Sequence, residues 1–184
     1  MQRPLTQQAH TALDSRLEPG ALTIDATVGN GHDTCFLASR VGPNGHVLGF
    51  DVQADALETT RARLADADML ERCTLLLRGH EHMRQWVPAA WLGAVAAITF
   101  NLGYLPGSDK ARITRESTTM TALEQALDLL RPGGLLSVLA YRGHPGGAAE
   151  AAAVEDWANT LRAGFDLITQ NSPGPVLYLI ERSR

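Results

Sequence analysis

Two short runs hold residue types whose spacing suits the binding of a nucleotide. Thr23-Ile24-Asp25-Ala26-Thr27-Val28-Gly29-Asn30-Gly31-His32-Asp33-Thr34 reads as a strand, a tight glycine turn and a helix start. Twenty residues after Gly31, Asp51 closes a second apolar run, Phe50-Asp51-Val52-Gln53. Glycines allow the main chain to approach a ligand closely and to take up backbone angles that a Cβ would forbid. A carboxylate at the end of the next strand can accept hydrogen bonds from both hydroxyls of a ribose. The pair therefore predicts a site for an adenosine-containing cofactor. Two later loops bring reactive groups: Phe100-Asn101-Leu102-Gly103-Tyr104-Leu105-Pro106-Gly107 and Tyr141-Arg142-Gly143-His144-Pro145-Gly146-Gly147.

The elements that must position these groups are legible from apolar periodicity. Strand-like runs occur at 21–25, 46–51, 73–77, 94–100, 134–140, 165–170 and 176–181. Helical patterns occupy 6–17, 33–41, 53–66, 117–130 and 147–163, and Pro88 interrupts a further one at 81–92. Strands alternating with helices predict a mostly parallel sheet with helices on both faces. Only Asn171-Ser172-Pro173-Gly174-Pro175 separates the last two strands, too few residues for a parallel crossover, so the last strand must run antiparallel. Seven strands ending in a hairpin match the class I methyltransferase (Rossmann-like) arrangement. At 184 residues the chain reads as a single α/β domain over 1–184.

Composition narrows the function classes. The chain is 45% hydrophobic and 20% charged, ordinary for a globular protein. No apolar run approaches a membrane span of about 20 residues. The N-terminal residues show no hydrophobic signal core, and Cys35 and Cys73 are the only cysteines, so a cytoplasmic protein with reduced thiols is expected. The net charge of −4 argues against a broad nucleic-acid footprint while leaving room for a local one. His80-Glu81-His82 lacks a third ligand cluster, and no metal site is expected.

Three features favour S-adenosylmethionine over a nicotinamide. Thr34 stands where a third glycine of G-x-G-x-x-G would be; Asp25-x-Thr27-x-Gly29-x-Gly31 resembles the D-x-G-x-G-x-G loop of class I methyltransferases; and Leu130-Arg131-Pro132-Gly133-Gly134 supplies a proline-glycine turn before the fifth strand. On this reading Gly29 and Gly31 form the cofactor turn, Asn30 offers its amide, Asp51 holds the ribose and Gln53 lies beside it. Asp33 either accepts from the methionine ammonium or is an acid placed at a helix N-terminus by the dipole. His80 is either an adenine neighbour or a loop histidine.

The Asn101 loop ends the fourth strand, where ligands bind in doubly wound sheets. Its Asn-x-x-Tyr spacing resembles the [Asp/Asn]-Pro-Pro-[Tyr/Phe] loop of amino-group methyltransferases, with Leu102 and Gly103 in place of the prolines. Asn101 would orient a target nitrogen and Tyr104 would stack on the substrate; alternatively Asn101 caps a turn and Tyr104 packs. His144 titrates near neutrality and either relays a proton or holds its loop together. Lys110, Arg112, Arg115 and Arg142 form a basic cluster suited to phosphates, or a solvated loop paired with Asp109 and Glu116.

Taken together, the four motifs resemble closely the bacterial rRNA-methylase-like family whose MnmM members modify tRNA. The likeness runs from about residue 5 to residue 181. It implies transfer of a methyl group from S-adenosylmethionine to the aminomethyl group of the wobble uridine in tRNA, giving 5-methylaminomethyl-(2-thio)uridine. It implies that Asn30, Asp33, Asp51, Gln53 and His80 meet the cofactor, and that the anticodon loop meets Lys110, Arg112, Arg115 and Arg142. Methylation of rRNA or of a small amine remains the alternative. Trp86 and Trp91 either serve an interface, as in a homodimer, or pack in the core.

Overall fold

The computed structural model describes residues 3–103, 114–143 and 145–184; Tyr104, Lys110, Arg112 and His144 lie outside them. Seven strands form one sheet: β1 (Leu22–Asp25), β2 (His46–Asp51), β3 (Cys73–Leu77), β4 (Val95–Leu102), β5 (Leu130–Ala140), β6 (Phe165–Asn171) and β7 (Val176–Arg182). Their order is β3-β2-β1-β4-β5-β7-β6. All neighbours from β3 to β5 pair parallel, and β7 pairs antiparallel with both β5 and β6. The expected final hairpin is present. Ser172 Oγ tightens its turn by donating to the Pro175 carbonyl at 2.7 Å and accepting from the Gly174 N–H at 3.2 Å.

The strand order reverses direction between β1 and β4. Successive strands step outward from β1 to β3, and the chain then returns to start β4 on the other side of β1. Crossovers diverge at such a point and leave a crevice at the carboxyl ends of the two strands. Asp25 ends β1, Asp51 ends β2 and Asn101 is the next-to-last residue of β4, so all three reach that edge.

Six helices cover the sheet: α1 (Leu5–Asp14), α2 (His32–Val41), α3 (Ala54–Asp66), α4 (Met83–Trp86), α5 (Glu116–Leu129) and α6 (Gly147–Asn159). One apolar layer joins Leu5, Ala9 and Leu13 of α1, Leu37 and Val41 of α2 and Leu64 of α3 to Ala97, Leu139 and Leu177 of the sheet. The other joins Met83, Leu123, Leu127 and Val154 to Phe50, Ile98, Phe100, Val138 and Tyr178. Alternate residues of β4 and β5 thus enter opposite layers, which is why both strands read as unbroken apolar runs. Burying each large side chain of this kind contributes about 1.5–3 kcal/mol.

Three local expectations change. The first helix stops at Asp14 rather than running on to 17, and beyond it the Arg131 guanidinium donates to the Arg16 carbonyl at 3.1 Å. The Leu130–Gly134 stretch is not a free turn before β5. Leu130 pairs with Val95 and Leu135 with Ala97, so three extra residues bulge out of β5, with Gly133 at a left-handed φ of 75°. Asn101 lies within β4 rather than in the loop after it. The expected break at Pro88 is present: Val87 is extended, as a residue before proline prefers, and α4 is a single turn.

Candidate active site

The glycine turn is built as its sequence requires. Gly29 and Gly31 have φ of 51° and 78°, where side chains are disfavoured. A Cβ on Gly31 would also lie 2.5 Å from Thr60 Oγ1, and that hydroxyl already donates to the Gly29 carbonyl at 3.0 Å. The turn is therefore pinned to α3 and delivers its residues to the mouth of the crevice. Asn30 stands between the two glycines, half-buried.

Asp51 binds this turn to the second strand. Its Oδ2 accepts from the Gly29 N–H at 2.8 Å and its Oδ1 from the Gln53 N–H at 2.9 Å. A carboxylate oxygen has two lone pairs, so each keeps one free. That is the acceptor set a ribose diol needs. Gln53 contributes its main chain here and sits at the N-terminal end of α3.

The centre of the crevice is a chain of three side chains from three elements. His10 Nε2 of α1 lies 2.7 Å from Asp33 Oδ1, and Asn101 Nδ2 donates to Asp33 Oδ2 at 2.7 Å. An ionised carboxylate only accepts, so the Asn101 nitrogen must face Asp33 and its Oδ1 must face away. The Asn101 main-chain N–H donates to Thr27 Oγ1 at 2.7 Å, closing β4 onto the glycine turn. His10 is held in turn by stacking on Phe36, with ring centroids 4.0 Å apart. Burial alone would raise the Asp33 pKa, but the hydrogen bonds from His10 and Asn101 outweigh it and hold the carboxyl below its ordinary value. Each Asp33 oxygen takes one internal hydrogen bond and keeps a second lone pair, so the side chain clamps Asn101 and can still accept from a ligand.

Asp25 lies fully buried beneath this arrangement. Its carboxyl accepts from Thr34 Oγ1 at 2.6 Å and from the Thr27 N–H at 3.2 Å. Burial, and next the charge of Asp33, push its pKa from 3.8 up to about 7 against the lowering effect of those two bonds. Between these two values the folded protein keeps a proton that the unfolded chain has released. The resulting stabilisation is fully present below about pH 4 and is lost as pH rises through about 7. Asn at this position keeps both bonds, one as acceptor and one as donor. Wild type should therefore lose stability relative to Asp25→Asn between about pH 4 and pH 7, read from urea midpoints. A constant difference across that range would place the Asp25 pKa near its ordinary value.

His80 is only 7% exposed, and the fold turns it inward. Its Nδ1 lies 3.2 Å from the Ala26 carbonyl and its ring tilts against Phe100. The carbonyl can only accept, so Nδ1 carries the proton. Burial lowers its pKa, with the Ala26 bond opposing. The ring thus joins Ala26, just after β1, to Phe100 of β4.

Gly103, just after β4, is joined to Thr114. The Thr114 N–H donates to the Gly103 carbonyl at 3.1 Å. Thr114 Oγ1 and Thr119 Oγ1 each donate at 2.6 Å to a different oxygen of Glu150, which is 2% exposed in α6. Glu150 thereby ties the start of α5 and the end of the Asn101 loop to α6. Arg115 and Arg142 are exposed at this same edge, at the start of α5 and just after β5.

The structure brings together Gly29, Asn30, Gly31, Asp33, Asp51, Gln53 and Asn101 at the crevice and places His80 behind it. It adds His10, which motif spacing did not single out, and gives Asp25, Thr27 and Glu150 partners that the motifs did not show. His10 is one residue off the apolar stripe Leu5, Ala9 and Leu13, and only tertiary packing gives it a partner.

Comparison with known proteins agrees with this architecture. A family model described as "Putative rRNA methylase" matches residues 47–174. The chain is 39% identical over 164 residues to the tRNA (mnm(5)s(2)U34)-methyltransferase, chloroplastic, of Arabidopsis thaliana, covering 85% of this chain and 59% of that one. It thus spans about three fifths of that relative's length. A crystal structure of a "putative rRNA-methylase" from Clostridium thermocellum superposes with a TM-score of 0.93 at 35% identity, covering 99% of both chains. A "putative methyltransferase" from Streptococcus mutans in complex with SAH gives 0.86 at 33% identity, again over 99% of both. With its glycine turn, Asp51 and Asn101 at the switch point of a seven-stranded sheet, and with most of its length matched, the chain belongs to the family described as "Putative rRNA methylase".

Proposed function

We propose that this protein is an S-adenosylmethionine-dependent tRNA methyltransferase that methylates the aminomethyl nitrogen of the wobble uridine, giving 5-methylaminomethyl-(2-thio)uridine. The observation that carries the reading is the Asn101 carboxamide, fixed by Asp33 with its oxygen unpaired among the described residues at the carboxyl end of β4. The name of the Arabidopsis relative and the SAH bound to the Streptococcus mutans protein support the substrate and the cofactor.

The residues present fit such a cofactor. The Gly29–Gly31 turn and Asn30 suit its amino-acid end, and the spare lone pairs of Asp51 suit its ribose diol. When bound, S-adenosylmethionine supplies an electrophilic methyl on a sulfonium. Asn101 Oδ1 accepts an N–H of the target amine and aims the nitrogen lone pair along the line of displacement. The attacking amine must be neutral, and partial desolvation at the crevice lowers its pKa. Catalysis on this reading is chiefly positioning. Tyr104 is assigned to stack on the uracil, Lys110, Arg112, Arg115 and Arg142 to hold anticodon-loop phosphates, and His144 to relay a proton. On this reading the enzyme acts in the cytoplasm. Among the described residues no helix is long and apolar enough to cross a membrane.

The test uses purified protein, labelled S-adenosylmethionine and bulk tRNA from cells blocked after the aminomethyl step, followed by nucleoside mass analysis. One methyl gained on 5-aminomethyl-(2-thio)uridine is the expected result. Cofactor binding without transfer to this nucleoside would move the substrate to another RNA or to a small amine.

A further inference from the structure

A second recess opens on the carboxyl edge of the sheet, beside the Asp33–Asn101 pair. Its volume is about 400 Å³, and it is lined by Arg3 and Pro4 ahead of α1, Tyr141 just after β5, and Asn171, Pro173 and Pro175 at the β6–β7 turn. That volume lies within the range of small-ligand pockets. Three segments distant in sequence build it, and each is anchored. The Tyr141 N–H donates to the Leu102 carbonyl at 3.2 Å, which fixes the tyrosine just past the end of β5, two positions beyond the register partner of Asn101. Asn101 is in register with Leu139, and Tyr141 follows Leu139 by two, continuing the face that carries Asn101. Burial and the charge of Asp33 both raise the Tyr141 pKa, in keeping with a hydroxyl that stays neutral beside the clamp. The hairpin wall is stiffened by the Ser172 bonds and by two prolines.

The chemistry of the lining is specific. Tyr141 is 38% exposed, a large aromatic surface left open next to a candidate reaction centre. Proline rings form the opposing rim. The Arg3 guanidinium and the Asn171 carboxamide have no hydrogen-bond partner among the described residues. An aromatic face, a guanidinium and a carboxamide around one slot are the groups that grip a splayed nucleotide: a ring to stack on, a cation for its phosphate, an amide for a base edge.

We propose that this recess holds a nucleotide adjacent to the methylated one, its base stacked on Tyr141 and its phosphate near Arg3. This inference rests on the tRNA reading above and adds a second base-binding position to it. Holding a neighbour draws the target nucleotide out of its stack and limits the rotation of its aminomethyl arm at Asn101.

The test is equilibrium binding of an anticodon stem-loop with plain uridine at the wobble position, and of two versions with the base removed on one side or the other of it. Wild type should lose about tenfold in affinity when one of the two flanking bases is missing. Tyr141→Ala should bind the intact RNA about tenfold more weakly and no longer distinguish it from that abasic version. Tyr141→Phe should behave as wild type, and S-adenosylmethionine affinity should be unchanged in both variants, which separates stacking from damage to the fold. The proposal is overturned if neither base removal weakens wild type, if Tyr141→Ala still discriminates, or if wild type does not bind the stem-loop. Wild type that binds the RNA as described but transfers no methyl to an aminomethyl-bearing version would overturn the proposed function and leave the recess assignment standing.

Discussion

Replacing Asn101 by alanine is expected to lower single-turnover methyl transfer by about 100-fold or more, with S-adenosylmethionine affinity changed less than about threefold. The expectation follows from how tightly this one side chain is specified. Its main-chain N–H is held by Thr27 and its amide nitrogen by Asp33, so the only part left to meet a substrate is Oδ1. Without that oxygen the amine can still enter the crevice, but nothing selects the orientation in which its lone pair faces the methyl group. Loss of orientation lowers the rate of the bound complex rather than the affinity for the cofactor. Asp33→Ala should act in the same direction with a smaller effect, since Asn101 stays in place but is free to rotate. Rapid-quench assays with enzyme in excess read the chemical step directly. Full activity in Asn101→Ala would remove this residue from the mechanism.

Asp51→Ala should give the complementary result, raising the S-adenosylmethionine Kd by about 100-fold while leaving the rate at saturating cofactor within a few-fold of wild type. Hydrogen bonds to a charged acceptor contribute about 1.5–3 kcal/mol each, and on the proposed reading two ribose hydroxyls would meet this carboxylate. The carboxylate also orients the turn through the Gly29 and Gln53 N–H groups, so part of the loss would come from a looser glycine turn. Asp51→Asn, which keeps one acceptor oxygen, should fall between the two. Calorimetric titration measures both variants. A Kd within threefold of wild type for Asp51→Ala would reduce Asp51 to a strand-end carboxylate that holds only main chain. The two variants together separate cofactor binding from substrate positioning, because one is expected to move affinity and the other rate.

The residues that read most clearly from sequence are those whose role is local. Gly29 and Gly31 announce a turn by their own backbone freedom, and Asp51 announces itself by closing a strand of the right period. The parallel sheet followed from doubly buried runs such as Val95–Phe100, and the final hairpin from the five residues between the last two strands, a simple limit of chain length. Motif identity pointed to Asn101 at the end of β4.

Tertiary structure decided what these residues are attached to. Asp33 read equally well as an ammonium acceptor or a helix-start acid; only the approach of α1 and β4 shows both of its oxygens engaged, by His10 and Asn101. His80 read as an adenine neighbour or a loop residue, and the packing of β1 against β4 turns it inward onto Ala26. Asp25 read as the first residue of the glycine motif. Its raised pKa comes from burial and from two neighbouring carboxylates on other segments, and no local pattern encodes that. Glu150 reads as a first-turn acid of a helix until Thr114 and Thr119 close over it. Local conformation is set by neighbours along the chain and leaves a signature in residue type and period. Hydrogen-bond partnership, burial and charge are set by segments that meet only after folding, so the sequence by itself determined the frame and the tertiary structure determined the chemistry of its edge.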